Sequence, residues 1–334
     1  SEMCIRDSGT DEQALTIDVK AFESCTSLEK IVLPARLSQM SLYDTQETKA
    51  SSSLLKWSYQ QSVFKNCYKL STIEVTGNAV KDIAPVYSAQ NGMLLSGDGK
   101  TVLYYPEGKT DTKLVLPDSV TKIENKAFYK ASKLAVVEIP ERIEYIGESA
   151  FEGCEKIDTL TFLGVDGSAD LRIGRRAFYG CTSILTLTLT ENVRYLGEYT
   201  FGDTRKLTEV TVNSNGNVEF ESGAFAAFNR DYQTGAITGS GGSKVQTLNI
   251  GKGLSGVDIS SVFGGTNAVL ATVTVDKENS YYYEGSDGVI YDKHLNEEQV
   301  NIPTKILYYP MLKEGEYELP GSITTIGANV FVGR

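Results

Sequence analysis

The chain has 334 residues, 41% of them hydrophobic and 10% aromatic, enough to bury an extensive core and too apolar for a disordered polymer. Lys plus Arg number 32 against 43 Asp plus Glu, a net charge of −11 with no offsetting basic patch, which argues against nucleic acid and anionic membranes as partners. No apolar run reaches the length of a membrane span, and no charged-then-apolar leader opens the chain.

Residues 1–13 read as a disordered or artefactual tail, because the opening SEMCIRDS resembles a translated sequencing adapter; Cys4 is set aside with it. From residue 14 a repeat begins. Its anchor is a small or β-branched residue followed by Phe. The anchors run Ala21-Phe22, Val63-Phe64, Ala127-Phe128, Ala150-Phe151, Ala177-Phe178, Thr200-Phe201, Ala224-Phe225, Val262-Phe263 and Val330-Phe331. Phe128, Phe151, Phe178, Phe201 and Phe225 are separated by 23, 27, 23 and 24 residues, a spacing that marks stacked repeats.

Other columns keep step. An apolar residue stands five positions before Phe, as in Ile17, Ile123, Ile146, Ile173 and Leu196. After each anchor comes an alternating pair, such as Ile31/Leu33, Ile73/Val75, Val137/Ile139, Leu160/Phe162, Leu187/Leu189 or Val210/Val212. Period-two alternation predicts a strand with one buried face, and Pro34, Pro117, Pro140 and Pro320 follow or end such strands. Each coil is expected to give one strand to a parallel layer and to turn through a short helical segment at the anchor. No coil buries its apolar face alone, so neighbours stack into one core.

In chain order, residues 38–57 and the Gly/Ser-rich residues 235–243 read as loops. Two modules interrupt the period, near residues 87–106 and 281–310. One carries Asn91-Gly92 and Tyr104-Tyr105-Pro106, the other Asp287-Gly288 and Tyr308-Tyr309-Pro310. Each predicts an inserted β-hairpin that decorates the stack. The sequence stops within a repeat, which reads as a truncated solenoid spanning 14–334.

The runs Ile146-Gly147-Glu148-Ser149-Ala150-Phe151-Glu152-Gly153-Cys154 and Ile173-Gly174-Arg175-Arg176-Ala177-Phe178-Tyr179-Gly180-Cys181 resemble the signature of BspA-like leucine-rich-repeat proteins, as does the strand end Val137-Glu138-Ile139-Pro140. The resemblance implies an α/β, β-rich, right-handed leucine-rich-repeat solenoid with two hairpin modules. It also implies a bacterial secreted or cell-surface protein that adheres to host or neighbouring-cell proteins.

The residues offer little for catalysis, and neither an enzyme nor a cofactor is expected. Cys25, Cys67, Cys154 and Cys181 all lie three residues after an anchor Phe, the mark of a structural slot that Thr204 fills elsewhere. A Cys154–Cys181 disulfide stays open. His294 is the sole histidine, in a polar stretch that lacks a triad or zinc-ligand pattern. Gly99-Lys100-Thr101 and Gly108-Lys109-Thr110 lack the earlier glycine of a phosphate loop.

The candidate contact surface is therefore the outward side of the strands: Thr159, Thr161, Thr186, Thr188, Glu209 and Thr211. Strand propensity alone accounts for these threonines, and the same array offers a polar recognition face. Tyr282 and Tyr308 of the second module join the candidates, since Tyr suits binding surfaces, although such rings also pack hairpins onto a scaffold. The partner expected is a surface or matrix protein; the alternative is a glycan held by the Tyr-rich modules.

Overall fold

A computed structural model describes residues 2–4, 15–18, 20–42, 63–77, 83–165, 167–230, 237–241, 244–263, 270–310, 315–327 and 330–331. Successive coils contribute front strands that pair in parallel. Lys30–Pro34 pairs with Thr72–Thr76, and Val136–Ile139 with Thr159–Phe162. Thr186–Leu189 begins a four-stranded run through Glu209–Val212, Thr247–Ile250 and Thr272–Val275. A side sheet forms from the residues just before each anchor: Lys122–Ile123, Tyr145–Ile146, Leu171–Ile173, Val193–Leu196 and Glu219–Phe220, again parallel. The result is a β-rich solenoid, with Ile259–Val262 its one helix among the described residues.

The anchor segments around Phe128, Phe151, Phe178 and Phe201 are runs of turns; the helix Ile259–Val262 leads into the anchor at Phe263. Residues two before and two after Phe128, Phe151 and Phe178 adopt left-handed φ: Lys126 (60°) and Lys130 (56°), Ser149 (56°) and Gly153 (75°), and Arg176 (55°) and Gly180 (71°). Left-handed backbone is costly outside glycine. Here it directs N–H groups to the next coil: Lys126 N donates to Glu148 O at 3.0 Å, Phe128 N to Ala150 O at 2.8 Å and Lys130 N to Glu152 O at 2.9 Å. A helix would turn those donors inward and leave the coils unlinked.

The anchor phenylalanines from Phe128 to Phe263 form the expected buried column, whereas Phe331 is exposed. Phe128, Phe151, Phe178 and Phe201 are all 0% exposed. Their centroids are spaced 4.7, 5.0 and 5.3 Å apart with rings within 3° of parallel, and Phe225 and Phe263 continue the stack. Burying each ring contributes about 1.5–3 kcal/mol.

The two modules are layers of the stack, which corrects their reading as decorations. Each has three strands: Tyr87–Gln90, Met93–Ser96 and Thr101–Tyr104 in the first, and Tyr282–Glu284, Ile290–Asp292 and Lys305–Tyr308 in the second. Asn91 (φ 54°) and Gly92 (φ 74°) make the two-residue turn that their sequence announces. The middle strand of each module is buried on both faces. Leu94 and Tyr104 join the core on the N-terminal side, while Met93, Leu95 and Tyr105 join the next. Tyr104 lies 5.2 Å from Phe64 and Tyr105 5.1 Å from Phe128, so adjacent residues carry the aromatic column across the insert. The second module repeats this: Ile290 and Tyr308 face the central core, and Val289, Tyr291 and Tyr309 the C-terminal one.

Three further segments differ from expectation. Glu2–Cys4, within the supposed tail, pairs with Lys30–Pro34, whose open edge offers unpaired backbone groups to any short extended segment. Leu37–Met40 is a strand on Leu15–Ile17, while residues 43–57 of the same expected loop lie outside the described residues. Ile237–Gly241 pairs antiparallel with Ala227–Arg230, giving a Gly-rich backbone its hydrogen bonds; residues 231–236 and 242–243 lie outside the described residues.

Candidate interaction surfaces

On the front sheet the alternation is as the residues dictate. Leu187, Leu189, Val210 and Val212 are at most 2% exposed, while Thr186, Thr188 and Glu209 are exposed and Thr211 is half-buried. Parallel pairing sets two outward rows across four strands. One row is Thr186, Glu209, Thr247 and Thr272; the other is Thr188, Thr211, Asn249 and Thr274. Asn249 ties the rows together. Its Nδ2 donates to Glu209 Oε1 at 2.9 Å and to Thr211 Oγ1 at 3.2 Å, and Thr274 Oγ1 donates to its Oδ1 at 2.8 Å.

Thr159 and Thr161 are exposed but stand on the neighbouring two-stranded sheet, beside Val136 and Glu138. The strands Thr159–Phe162 and Thr186–Leu189 lie side by side without a hydrogen-bonded ladder. Between them falls the longest of the closely spaced coils, the 27-residue step from Phe151 to Phe178. Glu138 is held by Lys113 at 2.9 Å.

Tyr282 and Tyr308 are each 5% exposed and belong to the core rather than to a contact surface. Tyr308 Oη donates to Leu270 O at 2.8 Å, and Tyr282 Oη accepts from Val257 N at 2.8 Å. Tyr87 does the same in the first module, accepting from Met40 N at 2.9 Å. These hydroxyls satisfy backbone groups of the preceding coil, the reason a buried Tyr stands where Phe would leave a donor or acceptor unpaired.

The side sheet carries a column that the strand pattern alone did not single out: Lys122, Tyr145, Arg172, Tyr195 and Glu219, in register. The Arg172 guanidinium lies 4.3 Å from the Tyr195 ring centroid. Beside it opens a cleft of about 670 Å³, lined by Lys122, Glu124, Glu144, Tyr145, Asp170 and Arg172 together with Ala169. Burial pushes the Tyr145 hydroxyl above its ordinary range, and Glu124 and Glu148 add to it. For Tyr145, Arg172 and Tyr195 the available signal was their place just before an Ile-Gly or Leu-Gly pair.

The polar groups in the core are structural. Arg176 is 1% exposed, stacks 3.8 Å from the Tyr179 centroid and grips Glu152 with two hydrogen bonds of 3.1 and 2.6 Å. Cys67, Cys154 and Cys181 are buried free thiols, and Cys25 is half-buried and free. His294 is exposed and pairs with Asp292 at 2.9 Å. Among the described residues no group of three or more His, Cys, Asp or Glu is arranged to hold a metal ion, and no helix is long and apolar enough to cross a membrane.

The pneumococcal vaccine antigen PcpA shares the fold, with a TM-score of 0.56 at 21% identity over 81% of this chain; the chain spans only 56% of that structure. A leucine-rich repeat protein of T. pallidum is 23% identical over 56% of this chain and 78% of its own, with a TM-score of 0.41. One from Bacteroides ovatus is 16% identical over 99% of this chain and 84% of its own, with a TM-score of 0.48. No functionally curated protein matches the chain. The BspA type leucine-rich repeat region matches in six copies over residues 5–85 and 107–230, more than half of the sequence. The chain belongs to the BspA-type leucine-rich-repeat family.

Proposed function

We propose that the chain is a non-enzymatic protein-binding scaffold, secreted or displayed on a bacterial surface, that adheres to surface or matrix proteins of a host or neighbouring cell. The observation that carries this reading is the pair of outward rows held in unbroken register from Thr186–Leu189 to Thr272–Val275. At about 4.8 Å per strand they present a flat polar surface roughly 15 Å long. Threonine is stiff at χ1, so little side-chain freedom is lost on binding. The family assignment and the fold shared with a pneumococcal antigen accord with surface display. The net charge of −11 favours partners with basic patches and association that slows as salt rises.

The test is binding to a panel of immobilised extracellular-matrix proteins by wild type and by the Thr186→Lys Glu209→Lys double variant. A bound partner lost on charge reversal, with thermal stability retained, supports the reading. A folded double variant that binds like wild type removes the front sheet as the contact surface. Thr159 and Thr161, on the adjoining sheet, form a second patch to be reversed separately.

A further inference from the structure

The cleft beside the side sheet has a chemistry distinct from the front rows. Tyr145 stands at its centre, half-buried, with Lys122 and Arg172 on the strands to either side at about one strand spacing, near 4.8 Å. Glu124, Glu144 and Asp170 complete the polar wall. Its rim, Ala169 and Asp170, belongs to the long coil, and the next coil fixes it in place. Asn192 is 3% exposed and donates from Nδ2 to Ala169 O at 2.9 Å, and Arg194 Nε holds Asp170 Oδ1 at 3.0 Å. The same Asn192 packs where any side chain on Gly164 would stand. Tyr145 Oη reaches Asn125 Oδ1 at 3.4 Å, and Arg172 is stacked on Tyr195. The cleft is thus formed before any ligand arrives, and its volume of about 670 Å³ is within the range of small-molecule sites.

The mixture of charges decides the class of ligand. An anionic polymer would face three carboxylates, and a cationic peptide would face an ammonium and a guanidinium. A neutral polyol uses both signs, because its hydroxyls donate to carboxylates and accept from Lys and Arg. Among the described residues Lys122 and Glu144 have no ion-pair partner of their own, so both are available for this. The electron-rich face of a Tyr ring attracts the polarised C–H face of a pyranose. We propose that this cleft binds a short neutral oligosaccharide, with Tyr145 as the stacking platform and Lys122, Arg172, Glu144 and Asp170 as hydroxyl partners. The proposal is independent of the front rows and places sugar recognition on the side sheet rather than on Tyr282 and Tyr308 of the second module, which are buried.

The experiment is an array of neutral, uronic or sulfated, and amino oligosaccharides probed with the purified chain, followed by calorimetric titration of the strongest hits. Neutral glycans should bind. Tyr145→Ala and Arg172→Ala should each weaken them by about tenfold or more, and Tyr145→Phe should retain most of the affinity. Arg172→Ala removes an exposed side chain, so it remains informative if Tyr145→Ala proves unstable. Thr186→Lys Glu209→Lys should bind the same glycans as wild type, which separates this site from the protein-binding face. Absence of any glycan binding, binding confined to acidic or amino sugars, or binding indifferent to both Tyr145→Ala and Arg172→Ala would each overturn the proposal.

Discussion

Cys67, Cys154 and Cys181 each direct a thiol at the carbonyl of the preceding coil's anchor phenylalanine, at 3.0 Å to Phe22, 3.1 Å to Phe128 and 3.3 Å to Phe151. Their shared position after the anchor marked them in the sequence as structural. The hydrogen bond was not legible there, because it depends on how far one coil is displaced from the next. Burial pushes the Cys154 thiol up to about 12 and that of Cys67 to about 11, so neither forms a thiolate near neutrality. At pH 7 these three should stay unlabelled by a thiol reagent in the native chain and label fully in denaturant; native labelling, or no thiols after denaturation, contradicts this. Cys154→Ala should lose about 1–2 kcal/mol in denaturant titration, from a small cavity and a lost weak donor.

Tyr282 shows the opposite limit at the same scale. Composition suggested a presented ring, whereas Tyr282 points into the core and it is its neighbours Tyr281 and Tyr283 that are exposed. Tyr282→Ala should therefore cost about 3–5 kcal/mol, and Tyr282→Phe about 1 kcal/mol, since the backbone N–H of Val257 loses its acceptor. Tyr281→Ala, at a residue 51% exposed, should fall within about 0.5 kcal/mol of wild type in the same titration. Asp292 adds a pH dependence. Partial burial alone would raise its carboxyl, but hydrogen bonds from Thr304 and Lys305, with His294 alongside, outweigh that and hold it below the ordinary value. A depressed folded pKa gives stability that is present above the unfolded value of about 3.9 and lost as pH falls through the folded one. Melting temperatures of wild type and Asp292→Asn should converge as pH drops below about 4; a constant gap across that range would contradict the assignment.

At the scale of elements, the coils were readable because every column repeats. The modules were readable as strands from Asn91-Gly92, Asp287-Gly288 and the two Tyr-Tyr-Pro runs. Their role as layers was not, since a strand buried on both faces and one that decorates a surface share the same short apolar runs. Alternation explains the paired tyrosines: neighbours in a strand face opposite ways, so Tyr104 completes one core and Tyr105 the next. Stacked repeats gain stability mainly from nearest neighbours. The Tyr104→Ala Tyr105→Ala variant should consequently uncouple the coils before the first module from those after it. Differential scanning calorimetry should then resolve an additional, lower transition relative to wild type. A single transition merely shifted downward would mean that the module does not couple the two cores.

At the scale of the whole molecule, the buried column and the parallel sheets leave the outward sides of the strands as the regular surface. Sequence alternation located Thr186, Thr188, Glu209 and Thr211 on it, but the break that separates them from Thr159 and Thr161 follows from the long coil's backbone path and has no local signal. The side-sheet column stayed hidden for a related reason: its strands are two to four residues long, too short to display a period. The most direct test of the front sheet as the contact surface is a scan of dissociation constants for one matrix-protein partner. Lys would be placed singly at Thr186, Thr188, Glu209, Thr211, Thr247, Asn249, Thr272 and Thr274. The account predicts losses of about tenfold or more clustered at neighbouring positions of the two rows, with melting temperatures unchanged except at Asn249, whose replacement also removes its hydrogen bonds to Glu209, Thr211 and Thr274. Wild-type affinity at all eight positions in folded variants would contradict it.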